Sequence, residues 1–165
     1  MHPTSMNTMA RFAKSYLSPE TETKIVDIGS LDINGSYKHL FDNEQWEYIG
    51  VDLKDGSNVD VVLENDYQLP FENESVDIVI SGQAFEHMPY PWLMMGQISR
   101  VLKSGGLCCI IAPGAGPIHE QPDCWRILPD GMKALAILAG LEVVEIGSSG
   151  GTWNDTYLIA KKANE

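Results

Sequence analysis

The stretch KIVDIGSLDING, residues 24–35, decides how the rest of the chain folds. Its apolar run of Ile25, Val26 and Ile28 is short and ends at Gly29. A short apolar run that ends in a glycine-containing turn is typical of a buried parallel strand. A helical pattern follows, so strand, turn and helix are predicted in that order. In an open α/β sheet, the turn after the first strand lies at the crevice in which ligands bind.

A second strand with an acidic end follows 23 residues after Gly29: the segment YIGVD, residues 48–52, ends at Asp52. A carboxylate at this place is positioned to accept hydrogen bonds from the two ribose hydroxyls of a nucleoside. Asp27 on the first strand and Asp32 in the turn add carboxylates at the same edge. These features predict a nucleoside-containing cofactor. The alternative is that Gly29 only makes a turn and that Asp52 only caps a strand.

The charge of this crevice discriminates between nucleoside cofactors. A dinucleotide carries a pyrophosphate, whose binding usually requires a Gly-x-Gly-x-x-Gly turn and a free helix N-terminus. Leu31 and Ile33 occupy positions where the backbone would have to approach the ligand closely. Four carboxylates would crowd an anionic ligand: Asp27, Asp32, Asp52 and Asp55. S-adenosylmethionine has no phosphate and carries a sulfonium and an ammonium group, so the acids favour it.

The composition indicates a single globular domain, residues 1–165, without a polyanionic partner. A hydrophobic content of 44% and a charged content of 21% are ordinary for such a domain. The net charge of −12 and the lack of a Lys/Arg-rich segment argue against nucleic acid. No apolar run approaches the roughly 20 residues of a membrane span, and Arg11 and Lys14 interrupt any signal-peptide core. Cys108 and Cys109 lie in an apolar strand pattern, which predicts core residues in a reducing, cytoplasmic compartment.

Alternating strand and helix patterns predict a doubly wound α/β sheet of seven strands, mostly parallel, with the last strand antiparallel and helices between most strands. The N-terminal segment 1–19 contains an amphipathic helix that packs on the sheet and ends at Ser18-Pro19. Further helices are expected at residues 37–41, from Pro91 to a stop at Gly105, and from Pro129. The strands after the first are predicted at 46–51, 59–63, 76–81, 107–112, 141–146 and 156–160. Segment 113–126 is an irregular insertion.

Five segments, in this order, resemble the class I S-adenosylmethionine-dependent methyltransferases over about residues 24–161. They are VDIG at 26–29, GVDL at 50–53, LPF with SVDIVIS at 69–81, EHM at 86–88 and RVLKSGGL at 100–107. The sequence departs from the family in one place, because the Gly-x-Gly-x-Gly of the first motif is reduced to Gly29, with Gly35 further on. Asp32 and Asn34 tolerate left-handed backbone better than most residues, so the turn can still form.

The resemblance implies eight cofactor-binding residues at the ends of the predicted strands: Asp27, Gly29, Asp52, Leu53, Asn65, Asp66, Ser81 and Gln83. The first two would line the methionine portion of S-adenosylmethionine, and the next two would hold the ribose and pack on the adenine. Asn65 or Asp66 would bond the adenine amino group, and the last two would face the methyl group. A core role for Leu53 and turn-forming roles for Asn65 and Asp66 are the alternatives.

Two histidines are predicted to open onto the same cleft, since His87 follows the fourth strand and His119 lies in the insertion. Methyl transfer depends on placing nucleophile and methyl group in line, and a base helps when the acceptor is a hydroxyl. The insertion also contains Asp123, Trp125 and Arg126, which suit a small polar acceptor. We therefore predict O-methylation, with His119 as the base and His87 in reserve. The alternatives are a structural role for His87, and that Trp125 and Arg126 pin the loop to the last helix.

No Cys/His spacing predicts a metal site, and Cys124 has no activating partner in the sequence. Two other functions stay open. A nicotinamide-dependent oxidoreductase is disfavoured by the missing glycines and the acidic crevice. A non-catalytic S-adenosylmethionine-binding subunit is consistent with the reduced first motif and the small size.

Overall fold

The computed structural model describes residues 3–164. Residues 1 and 2 of the predicted segment 1–19, and residue 165 of the predicted domain, lie outside the described residues. The strands are β1 Thr23–Ile28, β2 Trp46–Asp52, β3 Val61–Val62, β4 Val76–Gly82, β5 Leu102–Ala112, β6 Leu141–Ser148 and β7 Thr156–Lys162. They form one sheet in the order β3-β2-β1-β4-β5-β7-β6. The pairings among β1 to β5 are parallel, and β7 is antiparallel to both β5 and β6. The predicted fold class is confirmed.

The helices are α1 Pro3–Tyr16, α2 Pro91–Val101 and α3 Pro129–Leu138, with 3₁₀ turns at Lys38–Phe41 and Phe85–His87. Both faces of the sheet are covered, because successive residues of a strand point to opposite faces. Val26 and Cys108 pack with residues of α2 and α3, whereas Ile25 and Cys109 pack with residues of α1 and the first 3₁₀ turn. The prediction that both cysteines are core residues is confirmed.

The amphipathic patterns place the three α-helices correctly, with one boundary wrong. Met9 and Phe12 of α1 are buried as predicted, and α3 is followed by Gly140 with a φ of 75°. The stop predicted for α2 at Gly105 is wrong, because α2 ends at Val101 and the chain passes directly into β5. Gly105 instead has a φ of 78° inside β5, where the pairing with β4 shifts register. None of the helices in residues 3–164 has the length and apolarity that crossing a membrane requires.

The prediction of helices between most strands is wrong. Within residues 3–164, an α-helix lies only in the connections from β4 to β5 and from β5 to β6. The segment after β1 makes a single 3₁₀ turn, Lys38–Phe41, which Asp42 caps. Oδ1 of Asn43 then accepts the Gln45 N–H at 2.8 Å where the chain turns into β2. The third strand is shorter than predicted, since Asn58 has a φ of 67° and Val59 N–H bonds back to Gly56.

Candidate functional site

The loop after β1 is hydrogen-bonded along its length to the end of β2 and the loop that follows. The main-chain N–H groups of residues 29 and 30 both donate to the carbonyl oxygen of Val51. The N–H of residue 31 donates to Oδ2 of Asp52, and that of residue 32 donates to the carbonyl oxygen of Ser57, all at 2.9–3.2 Å. These groups are therefore not directed at a ligand phosphate. The next element is a four-residue 3₁₀ turn, which does not offer the helix N-terminus that a pyrophosphate site uses.

Gly29 lies in tight contact with Ala84, the second residue after β4. The φ of Gly29 is 77°, and a Cβ at this position would lie 2.5 Å from the Cβ of Ala84. Only glycine combines this left-handed backbone with so close an approach. The reduced first motif therefore still forms a tight turn, and the turn holds the ends of β1 and β4 together.

Asp52 and Leu53 stand at the carboxyl end of β2. Asp52 accepts the Leu31 N–H through Oδ2 at 3.2 Å and the Lys54 N–H through Oδ1 at 3.1 Å, which orients its carboxylate. Each carboxylate oxygen keeps a further lone pair. Leu53 is 50% exposed, so the alternative that it is a core residue does not hold.

The predicted adenine contacts Asn65 and Asp66 lie in an exposed turn after β3. The side-chain Oδ1 of Asn65 accepts the Tyr67 N–H at 3.0 Å, as in an Asx turn. This geometry agrees with the turn-forming alternative for Asn65.

Asp27 and Ser81 are buried and bonded to protein atoms. Asp27 accepts a short hydrogen bond from the hydroxyl of Tyr48. Burial raises the pKa of Asp27 to about 7, with a smaller contribution from the charge of Asp52, while the Tyr48 hydrogen bond opposes the rise. Ser81 donates its hydroxyl to the carbonyl oxygen of Ile28 at 2.8 Å and so ties β4 to β1.

Gln83 connects the end of β4 to the N-terminal helix. Its φ is 60°, and its Nε2 donates to Oδ1 of Asp155 at 3.1 Å. Thr4 of α1 donates to the other oxygen of Asp155 at 2.8 Å, and Ser5 shares a short hydrogen bond with the hydroxyl of Tyr37. The beginning of α1 thus packs over the carboxyl ends of the strands.

Segment 113–126 folds back onto the residues that follow β4. The main-chain N–H groups of Cys124 and Trp125 donate to the carbonyl oxygen of Glu86 at 2.8 and 3.2 Å. Nε1 of Trp125 donates to the carbonyl oxygen of Met88 at 2.9 Å, and 40% of this tryptophan is exposed. The insertion therefore covers the same edge of the sheet that carries the acidic strand ends.

The two predicted histidines come together at this insertion, with His87 and His119 ring centroids 5.0 Å apart. Nδ1 of His87 lies 2.6 Å from the carbonyl oxygen of Pro122, and Nδ1 of His119 lies 3.1 Å from Oδ2 of Asp123. A carbonyl oxygen and a carboxylate only accept, so the network assigns the proton of each neutral ring to Nδ1. Each Nε2 then carries a free lone pair.

Glu86 completes this arrangement, although it is not among the site residues predicted from the sequence. Its side chain is 0% exposed, and neither carboxyl oxygen has a hydrogen-bond partner among the described residues. Oε1 lies 3.6 Å from Nε2 of His87 and 3.9 Å from Nε2 of His119. Burial is the main reason that the pKa of Glu86 rises to about 8. The segment EHM at 86–88 was the available signal, but nothing in it shows that the acid points inward.

Arg126 and Asp123 form an internal pair. Nη1 and Nη2 of Arg126 donate to Oδ1 and Oδ2 of Asp123 at 2.7 and 2.8 Å, and these hydrogen bonds hold the pKa of the carboxyl well below its usual range. The other three N–H groups of Arg126 donate to the carbonyl oxygens of Gly116, Pro117 and Trp125. With every donor used inside the loop, Arg126 in this conformation pins the insertion.

The family follows from a comparison with known proteins. Residues 26–110, just over half of the chain, match a family model described as a methyltransferase domain. The chain belongs to this family. The match begins within β1 and ends within β5, and so includes the acidic strand ends, the turn at Gly29 and the EHM segment.

Solved structures of methyltransferases share the fold of this family member. A putative methyltransferase of Bacillus halodurans aligns over 96% of this chain and 99% of its own, with a TM-score of 0.76 and 14% identity. An S-adenosylmethionine-dependent methyltransferase of Aquifex aeolicus aligns over 98% of both chains, with a TM-score of 0.67 and 15% identity. The sequence resemblance to class I methyltransferases is thus confirmed in family and fold.

Curated relatives match over a short segment. An uncharacterized methyltransferase of Mycobacterium tuberculosis is 49% identical over 39 residues, which are 24% of this chain and 15% of that protein. Across the mycobacterial relatives the matched part is 14–17% of their length. The acceptor of this chain therefore has to be inferred from its own site.

Proposed function

We propose that this chain binds S-adenosylmethionine at the ends of β1 and β2 and transfers its methyl group to a hydroxyl oxygen of a small polar acceptor under segment 113–126. The observation that carries the proposal is the course of residues 83–88. Ala84 contacts Gly29 in the loop after β1, and the carbonyl oxygen of Glu86 accepts hydrogen bonds from the insertion. One segment thereby brings the acidic strand ends beside the two histidines, as direct transfer between neighbouring ligands requires.

The acidic strand ends fit S-adenosylmethionine better than a nicotinamide dinucleotide. The amide groups of residues 29–32 are bonded to protein, so a pyrophosphate would meet carboxylates instead of donors. Asp52 offers lone pairs to the ribose hydroxyls, and the exposed Leu53 beside it offers apolar surface to the adenine. When bound, the cofactor supplies a methyl group activated by a sulfonium cation.

The other proposed cofactor contacts act in two ways. Gly29, Asn65 and Asp66 would contact the cofactor through the turns in which they lie. The polar atoms of Asp27, Ser81 and Gln83 already bond to protein, so these three side chains would hold the strand ends in place around the methionine portion.

His119 is the proposed base that accepts the hydroxyl proton. Asp123 holds its Nδ1–H, which presents the Nε2 lone pair, and the same carboxylate stabilises the imidazolium once the proton has arrived. His87 has an equivalent free Nε2 and is the reserve base. Trp125 exposes a ring surface on which the acceptor can pack, while Asp123 and Arg126 support the site from within the insertion.

Calorimetric titration tests the cofactor. The parent protein should bind S-adenosylmethionine and S-adenosylhomocysteine and not NADH. Asp52→Ala should weaken binding by about 1.5–3 kcal/mol, because charge-assisted hydrogen bonds to the ribose are lost. Asp55→Ala removes an exposed carboxylate three residues away and serves as the matched charge control. Equal affinity in the two variants would refute the placement of the ribose.

Turnover tests the acceptor side, using a screen of hydroxylated small molecules with S-adenosylhomocysteine release as the readout. His119→Ala should lower kcat by roughly 10²–10⁴-fold, as expected for loss of a general base, with cofactor affinity unchanged. His39→Ala, at an exposed histidine on the first 3₁₀ turn, is the control. Cofactor binding without turnover on any acceptor would instead support a non-catalytic binding subunit.

A further inference from the structure

Three side-chain atoms that can act as metal ligands converge at the buried end of the acceptor side. They are Oε1 of Glu86, Nε2 of His87 and Nε2 of His119, and single ligand atoms of these residues all lie within 4.8 Å of one another. The carboxylate is fully buried without a hydrogen-bond partner among the described residues. A bound cation would neutralise the ionised carboxyl group and give its unpaired oxygens a partner, together with the two imidazole nitrogens that face it.

We propose that Glu86, His87 and His119 bind a divalent first-row transition-metal ion of the zinc type. Two imidazole nitrogens and one carboxylate oxygen are a ligand set that such ions take in sites with an open fourth position. A hard ion such as Mg²⁺ prefers oxygen ligands and suits this set poorly.

The groups behind the ligands support this assignment. Each histidine is held through its other ring nitrogen, His87 by the carbonyl oxygen of Pro122 and His119 by the carboxylate of Asp123. Such outer partners fix the tautomer and the ring orientation of metal-binding histidines. Both rings thus direct a free Nε2 toward the same carboxylate oxygen.

The distances define the movement that binding requires. An ion with bonds of about 2.0–2.1 Å in tetrahedral geometry separates its ligand atoms by about 3.3 Å. Oε1 of Glu86 is already 3.6 and 3.9 Å from the two nitrogens. A small inward movement of His119, which sits in the irregular segment 113–126, would complete the site.

This proposal stands independently of methyl transfer, because it concerns only the affinity of the protein for an ion. If the ion is bound, it would take up the lone pairs of both histidines and so replace the histidine base of the proposed function. Coordination in the open fourth position would lower the pKa of an acceptor hydroxyl, which would then release its proton to water. Turnover then stops on removal of the metal with a chelator, whereas a free His119 base works without metal. Cofactor binding is not affected in either case.

The test is a titration of chelator-treated, metal-free protein with ZnCl₂, without cofactor or acceptor. We expect one ion per chain, a tetrahedral visible spectrum with Co²⁺, and no competition from Mg²⁺. Asp123→Asn removes an outer partner of a ligand and should weaken Zn²⁺ binding by roughly 10–100-fold. The loss of a ligand itself, in His119→Ala or in Glu86→Gln, should weaken Zn²⁺ binding by more than that. His39→Ala should bind as the parent does.

The controls separate this site from adventitious binding. His119 lies in the insertion and is half-buried, so His119→Ala remains informative if the change at the buried Glu86 prevents folding. In addition, Zn²⁺ should raise the melting temperature of the parent and not that of His119→Ala, because an ion that binds only the native site stabilises the fold. Equal Zn²⁺ affinity in the parent and His119→Ala, or loss of the bound ion in His39→Ala, would overturn the proposal.

Discussion

Gly29 and Ala84 touch across the ends of the two adjacent central strands β1 and β4, so closely that a methyl group on Gly29 would lie 2.5 Å from the Cβ of Ala84. This contact joins the loop after β1 to the segment that carries Glu86 and His87. The φ of 77° at Gly29 adds a second constraint on the same residue. Both constraints act on the fold before any ligand binds.

We therefore expect Gly29→Ala to destabilise the protein, by roughly 1–2 kcal/mol from the left-handed backbone and by about 1–3 kcal/mol from overpacking. Combining it with Ala84→Gly should recover the overpacking part and leave the backbone part. Urea unfolding of the two single variants and the double variant measures the coupling. Strictly additive effects would show that the two residues do not compete for the same space.

Asp27 should make stability depend on pH. Its pKa is about 7 in the folded protein against an ordinary value of 3.8, so between these values the folded state holds a proton that the unfolded state has released. Stability from this group is present below about pH 4 and is lost as pH rises to about 7. The free energy of unfolding of Asp27→Asn, relative to that of the parent, should therefore rise by on the order of 4 kcal/mol between pH 4 and pH 8. Parallel stability curves for parent and variant would contradict the assignment.

Arg126 should control the order of the insertion and leave the rest of the fold intact. Arg126→Ala removes the bidentate pair with Asp123 and three hydrogen bonds to loop carbonyls. Losing charge-assisted hydrogen bonds of about 1.5–3 kcal/mol lowers the free energy of local opening by that amount. Proteolysis within segment 113–126 should then be roughly 10–100-fold faster. The global melting temperature and S-adenosylmethionine affinity should change little. Unchanged cleavage would mean that the main-chain bonds alone hold the loop.

Trp125 should contribute to acceptor binding if the proposed function is correct. Trp125→Ala removes an exposed ring, so we expect KM for the acceptor to rise while cofactor affinity stays constant. Ile118→Ala, at a residue of the same insertion that is 80% exposed, is the control. An unchanged KM would remove Trp125 from the acceptor site.

The local patterns in the sequence were sufficient to locate the seven strands and the three α-helices, but not to give the length of β3 or the end of α2. The apolar run at Ile25–Ile28 favours a buried strand, and the proline at the start of α2 favours the first turn of a helix. Both local preferences agree with the fold. The connection after β1 failed, because its apolar residues Tyr37 and Phe41 are buried by a single 3₁₀ turn and do not need an α-helix. Burial there depends on α1, which the pattern of residues 37–41 does not reveal.

The site shows the same limit. Each histidine was recognised from its place after a strand, but the burial of Glu86 depends on an insertion that folds back from more than 30 residues away. Arg126 likewise bonds to Asp123 and is not free to bind a ligand. The composition of the segment does not distinguish an arginine that is paired within the loop from one that is open to a ligand. Residue types were predictable, and the direction of their side chains was not.

Main-chain hydrogen bonds attach the insertion to its neighbours at both of its ends. Gly114 and Ala115 donate to the carbonyl oxygen of Trp153, and Cys124 and Trp125 donate to that of Glu86, all through main-chain N–H groups. Such anchors survive most changes of side chain. Under the proposed function, side chains of segment 113–126 could therefore change and admit new acceptors without altering the strand ends that would bind the methyl donor.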